Sequence, residues 1–156
     1  MDKSELIRLV KAHNWMWERW WPALLELSPE QARKEVGGSF PSVFDTAAHM
    51  VWSEFNWQER CDRAGQNTTP EPEDMTVLKQ DWEALAERRR KWLETAAPQS
   101  PVSYRTSDGK PYTTLVSDII LHMTSHAHFH RGQLVTQFRL LGLKPPSVHF
   151  ITFTRL

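Results

Sequence analysis

Four long segments of the sequence carry apolar residues at helical spacing, and breaker-rich connections separate them. In the first segment, from about Lys3 to Leu27, apolar residues recur at alternating four- and three-residue steps. This pattern is typical of the buried side of a bundle helix. Pro22 falls inside the pattern, so we expect a kink or a break there. A short turn over "SPEQ" and the breaker "VGGSFP" follow.

The second and third helices are predicted with a long connection between them. The second starts at Ser42, which forms with Asp45 the pattern of a capping box, and runs to about Arg63. The polar stretch "AGQNTTPEPED" that follows is long for a tight turn and indicates a crossover. The third helix is predicted from near Thr76 to near Ala97.

The last third of the sequence predicts a small excursion and then a fourth helix. The Asp-Gly of "SDGK", between "VSYRT" and "YTT", favours a β-hairpin or another extended excursion. The fourth helix is predicted from near Thr114 to Leu141, with Gly142 as its C′ residue. The β-branched tail "VHFITFTRL" is expected to be extended. We therefore expect an all-α chain with one domain over residues 1–156: a four-helix bundle with a long crossover and a small hairpin-like excursion before the last helix.

Composition argues against several classes of protein. The 19 basic residues balance the 19 acidic ones, so no electrostatic footprint for nucleic acid or an anionic membrane exists. No stretch approaches the roughly 20 apolar residues of a membrane span, and the start is not a signal peptide. The lone Cys61 cannot form an internal disulfide, which is compatible with a reducing compartment. We expect a cytoplasmic protein without nucleic-acid or membrane partners.

Tryptophan is frequent, and four of the eight residues lie together in "WMWERWW". Aromatic clusters of this kind usually fill a core or an oligomer interface. Packing is therefore favoured over stacking against a ligand.

The stretch "HMTSHAHFHRGQ", on the predicted fourth helix, holds four histidines. At about 100° per residue, His130 lies roughly 40° and His126 roughly 80° from the centre of the apolar stripe. His122 lies further round, and His128 is close to the opposite side. Two inward histidines four residues apart can direct their imidazoles at one metal ion, or they can form a hydrogen-bonded polar pair in the core. Spacing leaves both interpretations open.

Further ligands for a metal would have to come from other helices. His49 lies in a polar strip of the second helix, which either faces solvent or lines a polar cavity. Periodicity does not choose between these two. His13 lies on the buried seam of the first helix, where a hydrogen-bonded histidine in an aromatic core is the better interpretation.

Three stretches together resemble the DinB/YfiT-like family of candidate metalloenzymes, within the DinB superfamily. They are "HNWMWERWWPALLELSPEQ", "SFPSVFDTAAHMVWSEFNWQER" and "LHMTSHAHFHRGQL" with the later "FRLLGLKPP". The resemblance spans nearly the whole chain, and "H-x-x-x-H-R-G-Q" paired with one upstream histidine is its most specific part.

This resemblance implies a four-helix bundle that binds a divalent metal through His49, His126 and His130. Zinc or nickel would suit three imidazoles best, with manganese or iron as alternatives. Such a site keeps an open position for a water or a substrate thiol. Gln133, one turn beyond His130, is a candidate to hydrogen-bond the bound molecule.

Four other polar or small residues near the site have predicted roles. Asp45 and Asp118 are candidates to accept imidazole N–H bonds, although helix capping is the favoured role for Asp45. Gly132 is expected to mark the close approach of another element. Arg131 points away from the site, which favours a structural or interface role.

Some relatives within this family transfer bacillithiol, mycothiol or glutathione onto electrophiles, and a related branch isomerises maleylpyruvate. The resemblance therefore implies a metal-dependent enzyme, such as a low-molecular-weight-thiol S-transferase acting on small electrophiles or a hydrolase-like relative. The alternative is a non-catalytic, dimeric, stress-associated bundle with a structural metal or none. A homodimer is expected, with the exposed part of the tryptophan cluster as the seam.

Overall fold

Four long helices form a bundle in the computed structural model, which describes residues 1–62 and 71–156. Around the bundle, α5 contacts α1 and α3, and α4 also contacts both of them. These elements confirm the predicted all-α bundle. The long helices are α1 (Lys3–Leu25), α3 (Val43–Asp62), α4 (Met75–Thr95) and α5 (Val116–Leu140). The shorter elements are helices α2 (Pro29–Arg33) and α6 (Phe150–Phe153) and strands β1 (Pro101–Arg105) and β2 (Pro111–Leu115).

The first helix is not broken at its proline. α1 begins after a capping box in which the Asp2 side chain accepts from the backbone N–H of Glu5. Pro22 is exposed and lies in the last turn, so the helix has only three more residues to support. The Glu26 N–H donates to the Pro22 carbonyl and completes that turn. The predicted turn at "SPEQ" is the short helix α2, capped by Ser28.

The predicted excursion before the last helix is an antiparallel hairpin. β1 pairs with β2 from Pro101 opposite Leu115 to Arg105 opposite Pro111. Gly109 adopts φ +82°, which the tight loop needs and which glycine tolerates without strain. Because β2 extends to residue 115, α5 starts two residues later than the sequence pattern predicts. The crossover predicted after α3 begins within residues 63–70, which lie outside the described part of the chain.

The tail is helical where an extended segment was expected. Phe153 of α6 packs its ring 5.9 Å from the Trp15 ring, and the Arg8 guanidinium lies 5.9 Å from the Phe150 ring. These contacts with α1 override the weak strand preference of the β-branched tail. Gly142 ends α5 at φ +75°, as predicted for a C′ residue.

Tryptophans fill the core at one end of the bundle, as the packing interpretation predicted. Trp17, Trp20 and Trp21 are at most 2% exposed, and only Trp15 of the sequence cluster is half-buried. The rings of Trp17 and Trp21 stack at 4.7 Å between centroids. A second apolar cluster, which includes Leu6 and Ile120, fills the end near the hairpin.

A buried polar cluster joins the four long helices near the middle of the bundle. Glu54 of α3 is its centre: Oε1 accepts from Trp17 Nε1 at 2.7 Å and lies 2.8 Å from His13 Nε2. Oε2 accepts from Arg89 Nη2 of α4 at 2.8 Å. From α5, Arg131 Nη2 lies 3.3 Å from His13 Nδ1 and donates to the His13 carbonyl. We call these five residues the polar cluster.

The contacts of His13 fix its protonation state. An arginine can only donate, so Nδ1 accepts from Arg131 and the proton sits on Nε2, which donates to Glu54. Burial lowers the pKa of His13 to about 4, although Glu54 acts in the opposite direction. Burial would raise the pKa of Glu54, but its bonds to His13, Arg89 and Trp17 hold it well below its usual range. His13 is thus the hydrogen-bonded core histidine that the sequence predicts.

Among the described residues, no helix is both long enough and apolar enough to cross a membrane.

Candidate metal centre

Three imidazoles from two helices converge on one point. His49 Nε2 of α3 lies 3.3 Å from His126 Nε2 of α5, and His130 Nε2 lies 3.1 Å from the same His126 nitrogen. One ring nitrogen from each histidine lies within 4.8 Å of those of the other two. The four-residue spacing places His126 and His130 on one side of α5, and the packing of α3 against α5 brings His49 opposite them.

These separations match a tetrahedral metal site. Two imidazole nitrogens bound at about 2.0–2.1 Å to a tetrahedral ion lie about 3.3 Å apart. A single Nε2 proton on His126 can serve only one of its two neighbours, whereas a cation satisfies all three lone pairs. Three neutral nitrogen donors suit a zinc- or nickel-type ion and leave a coordination position open.

Gln133 orients one of the three imidazoles. Its Oε1 lies 2.9 Å from His130 Nδ1, and its Nε2 donates to Ser39 Oγ at 2.8 Å. Because the amide oxygen accepts, the His130 proton sits on Nδ1 and the lone pair of Nε2 faces the other histidines. The sequence suggested Asp45 or Asp118 for such a role, and a contact with substrate for Gln133. In the structure, Gln133 accepts the N–H bond of His130.

A loop before α3 covers one side of the centre. Phe40 stacks on His49 with 4.2 Å between ring centroids and lies 5.6 Å from the His130 ring. Gln137 holds this loop, because its Nε2 donates to the Phe40 and Gly37 carbonyls and its Oε1 accepts from Thr46 of α3. The sequence marked this loop only as a breaker, so its role at the site was not predicted.

The opposite side of the centre faces solvent between aromatic side chains. His49 and His126 are half-buried, and His130 is buried. Trp52, whose ring lies 6.2 Å from that of His49, is 42% exposed, and Phe129, 5.1 Å from the His130 ring, is 63% exposed. An apolar rim therefore lies beside the partly exposed convergence point.

His49 and His126 favour their neutral form. Burial, together with the neighbouring His130, His49 and His122, lowers the pKa of His126 to about 4. Burial and the adjacent His130 also lower the pKa of His49. Since only a neutral imidazole offers a lone pair to a metal, both rings remain competent ligands below neutral pH.

The other histidines and acidic residues take the places that helical geometry assigns. His128 is exposed on the far side of α5, and His122 is exposed at the margin, with its ring 5.8 Å from that of His126. Asp45 accepts from Ser42 Oγ at the start of α3, which supports the capping role. Asp118 is exposed in the first turn of α5.

Two expectations for the residues after His130 meet different outcomes. Arg131 is buried in the polar cluster, which supports its structural role. The expected close approach of another element at Gly132 is wrong. Among residues 1–62 and 71–156, no atom of another element lies within 4 Å of the place where a Cβ on Gly132 would be. The glycine sits on the exposed side of α5, where no other element of the described chain approaches it.

Comparison with known proteins places the chain in a family. A sequence model of the DinB family matches residues 1–156. Protein DinB of Bacillus subtilis (strain 168) is 23% identical over 148 residues, which cover 86% of this chain and 85% of that protein. The match to the family model spans the whole chain, in agreement with the helical bundle and with the motifs that carry the resemblance. The chain belongs to the DinB family.

Proposed function

We propose that this DinB-family protein is a metal-dependent enzyme that transfers a low-molecular-weight thiol onto a small electrophile. The observation that supports it is the convergence of three imidazoles at separations suited to a tetrahedral ion, beside an aromatic rim. His49, His126 and His130 are the proposed ligands, and zinc or nickel is the proposed ion, with manganese or iron as alternatives.

In thiol transfer, the nucleophilic thiolate would come from a small molecule bound at the centre, because the single cysteine of the chain is not reactive. A divalent ion held by three imidazoles would bind a substrate sulfur as thiolate and so supply the nucleophile. Cys61, the single cysteine, is half-buried, and burial with the nearby Asp62 carboxylate raises its pKa to about 12. A thiolate must therefore come from a bound small molecule.

The residues of the chain would orient that molecule and restrict water. Gln133 keeps the His130 lone pair directed at the centre. Phe40 closes the side next to His49, while Trp52 and Phe129 offer apolar surface for the electrophile. Mostly apolar walls with few polar groups are typical of small-molecule sites.

Metal content of the untagged protein tests the ligand set. We expect about one divalent ion per chain, and loss of that ion in His126→Ala. His128→Ala is the matched control, because it removes a histidine from the exposed far side of the same helix. Full occupancy in His126→Ala would remove the proposed site.

A cobalt-substituted protein tests the chemistry. A small thiol should change the visible spectrum of the cobalt ion, and a model electrophile such as chlorodinitrobenzene should then be conjugated in a metal-dependent manner. Metal binding without any response to thiols would instead support the non-catalytic bundle with a structural metal.

We also propose a homodimer, through a surface other than the tryptophan cluster, which is mostly buried. Leu121 and Leu140 of α5 are 50% and 61% exposed, which leaves apolar surface on this helix outside the core. Sedimentation should give a dimer mass that Leu121→Glu reduces. Leu25→Glu, at an exposed position on α1, should leave the mass unchanged. A monomer of the unaltered chain at micromolar concentration would refute this proposal.

A further inference from the structure

A second set of aromatic and basic side chains lies beyond the metal centre, towards the hairpin. The His122 ring lies 5.0 Å from the Trp57 ring, and the Trp57 ring lies 5.4 Å from the Tyr104 ring of β1. Arg60 packs against both, with its Cζ 4.3 Å from the Trp57 centroid and 4.8 Å from the Tyr104 centroid. We call these four residues the Arg60 cluster.

Aromatic rings cover Arg60, and it has no anionic partner within the described residues. A guanidinium packed against aromatic rings still presents its N–H donors in its own plane, where they match the two oxygens of a carboxylate. Among residues 1–62 and 71–156, no carboxylate oxygen lies within 4 Å of Arg60 in an ion pair. Arg88, by contrast, pairs with Glu59 and Asp62, and Arg89 pairs with Glu54.

The Arg60 cluster is continuous with the metal centre. His122 links them, because its ring lies 5.8 Å from His126 on one side and 5.0 Å from Trp57 on the other. Along α3, Trp57 follows His49 by two turns, a rise of about 12 Å, and Arg60 lies almost one turn further. His122 is exposed, and Trp57, Arg60 and Tyr104 are half-buried, so a ligand can lie along this row.

We propose that Arg60 binds a carboxylate of the thiol substrate, which lies along the row from the three histidines to the hairpin. The inference rests on the proposed function, and it names the substrate class. The substrate is an anionic, peptide-like thiol whose sulfur and carboxylate are on the order of 10 Å apart, the length of about three extended residues. A two-carbon thiol would reach the centre but not Arg60.

Titration of the cobalt-loaded, full-length protein with glutathione and with its diethyl ester tests this contact. Glutathione serves as a probe with free carboxylates, and the ester keeps the thiol but masks them. We expect Arg60→Gln to raise the Kd for glutathione about tenfold and to leave the Kd for the ester unchanged. Arg139→Gln, which removes an exposed arginine from the far end of α5, should change neither. Equal weakening of both thiols, or no change, would overturn the role of Arg60.

A second measurement separates this inference from the proposed function. S-Methylglutathione keeps the carboxylates but has no free thiol, so it does not need the metal to bind. In metal-free protein it should shift the indole N–H resonance of Trp57, and Arg60→Gln should abolish that shift. Absence of the shift overturns the Arg60 contact, while absence of any cobalt response to thiols overturns the proposed function.

Discussion

Removal of the Glu54 carboxylate should destabilise the protein more than any surface change. Glu54→Leu leaves Arg89, which is fully buried, without the carboxylate of its ion pair. Breaking a buried ion pair in this way costs about 3–5 kcal/mol. Trp17 and His13 lose their acceptor as well, which keeps the loss at the upper part of that range. Against a total stability of about 5–15 kcal/mol, this is a large fraction.

The same geometry predicts that a second substitution recovers part of the loss. Arg89→Met combined with Glu54→Leu removes the unpaired guanidinium and replaces the pair with apolar volume, which is often neutral or stabilising. The double variant should therefore be more stable than Glu54→Leu alone, by on the order of 2 kcal/mol.

Urea unfolding, followed by tryptophan fluorescence and by circular dichroism, measures these free energies. Arg90→Met is the matched control, because Arg90 follows Arg89 on α4 but is exposed, and its midpoint should not move. A loss below about 1 kcal/mol in Glu54→Leu, or strict additivity with Arg89→Met, would refute the reasoning.

Three further predictions concern the ligand set, acid stability and two glycines. Gln133→Leu should weaken metal binding by about 10–100-fold in competition with a chelator, because His130 Nδ1–H loses its acceptor; unchanged affinity would contradict this. The folded pKa of His13, about 4, lies below the ordinary histidine value of 6.5, so the unfolded chain binds the proton first. The contribution of neutral His13 to stability is therefore fully present above pH 6.5 and is lost as the pH falls towards 4. Over this range the urea midpoint of His13→Gln should fall less steeply than that of the unaltered protein. In thermal unfolding, Gly132→Ala should stabilise the protein by about 0.5–1 kcal/mol, because the position is helical and open. Gly142→Ala should destabilise it by about 1–2 kcal/mol, because φ there is +75°. Equal changes in the free energy of unfolding for the two variants would refute these backbone roles.

Periodicity predicts the helices well because each buries one continuous apolar side. The Asp-Gly turn and the Gly142 terminus were also predictable, since both depend on local backbone geometry. The tail was not, because its helix depends on contacts with Trp15 and Arg8, more than a hundred residues away in sequence. The break predicted at Pro22 does not occur, because this proline lies in the last turn of α1, where little of the helix follows it.

Sequence spacing also predicts only part of the candidate site, and the rest depends on how the helices pack. Four-residue spacing directs His126 and His130 to one side, but the place of His49 depends on how α3 packs against α5, which the family resemblance supplied and spacing did not. Glu54 was missed, although it shares helical spacing with buried Met50 and Val51, because an acidic side chain is normally assigned to solvent. Its partner Arg89 lies in "ERRRK", where three adjacent arginines look alike and only tertiary packing selects the buried one.

The polar cluster has a consequence for how this scaffold can change. Each long helix contributes one or two members, so sliding any helix by one turn, about 5.4 Å, would remove a hydrogen-bond partner from the interior. The relative registry of α3 and α5, and with it the position of His49 against His126 and His130, is thus set by side chains outside the ligand set. Trp52 and Phe129 lie outside the polar cluster, so substitutions there would change the surface beside the three histidines without disturbing that alignment. The alignment of the candidate metal centre is therefore independent of these rim side chains.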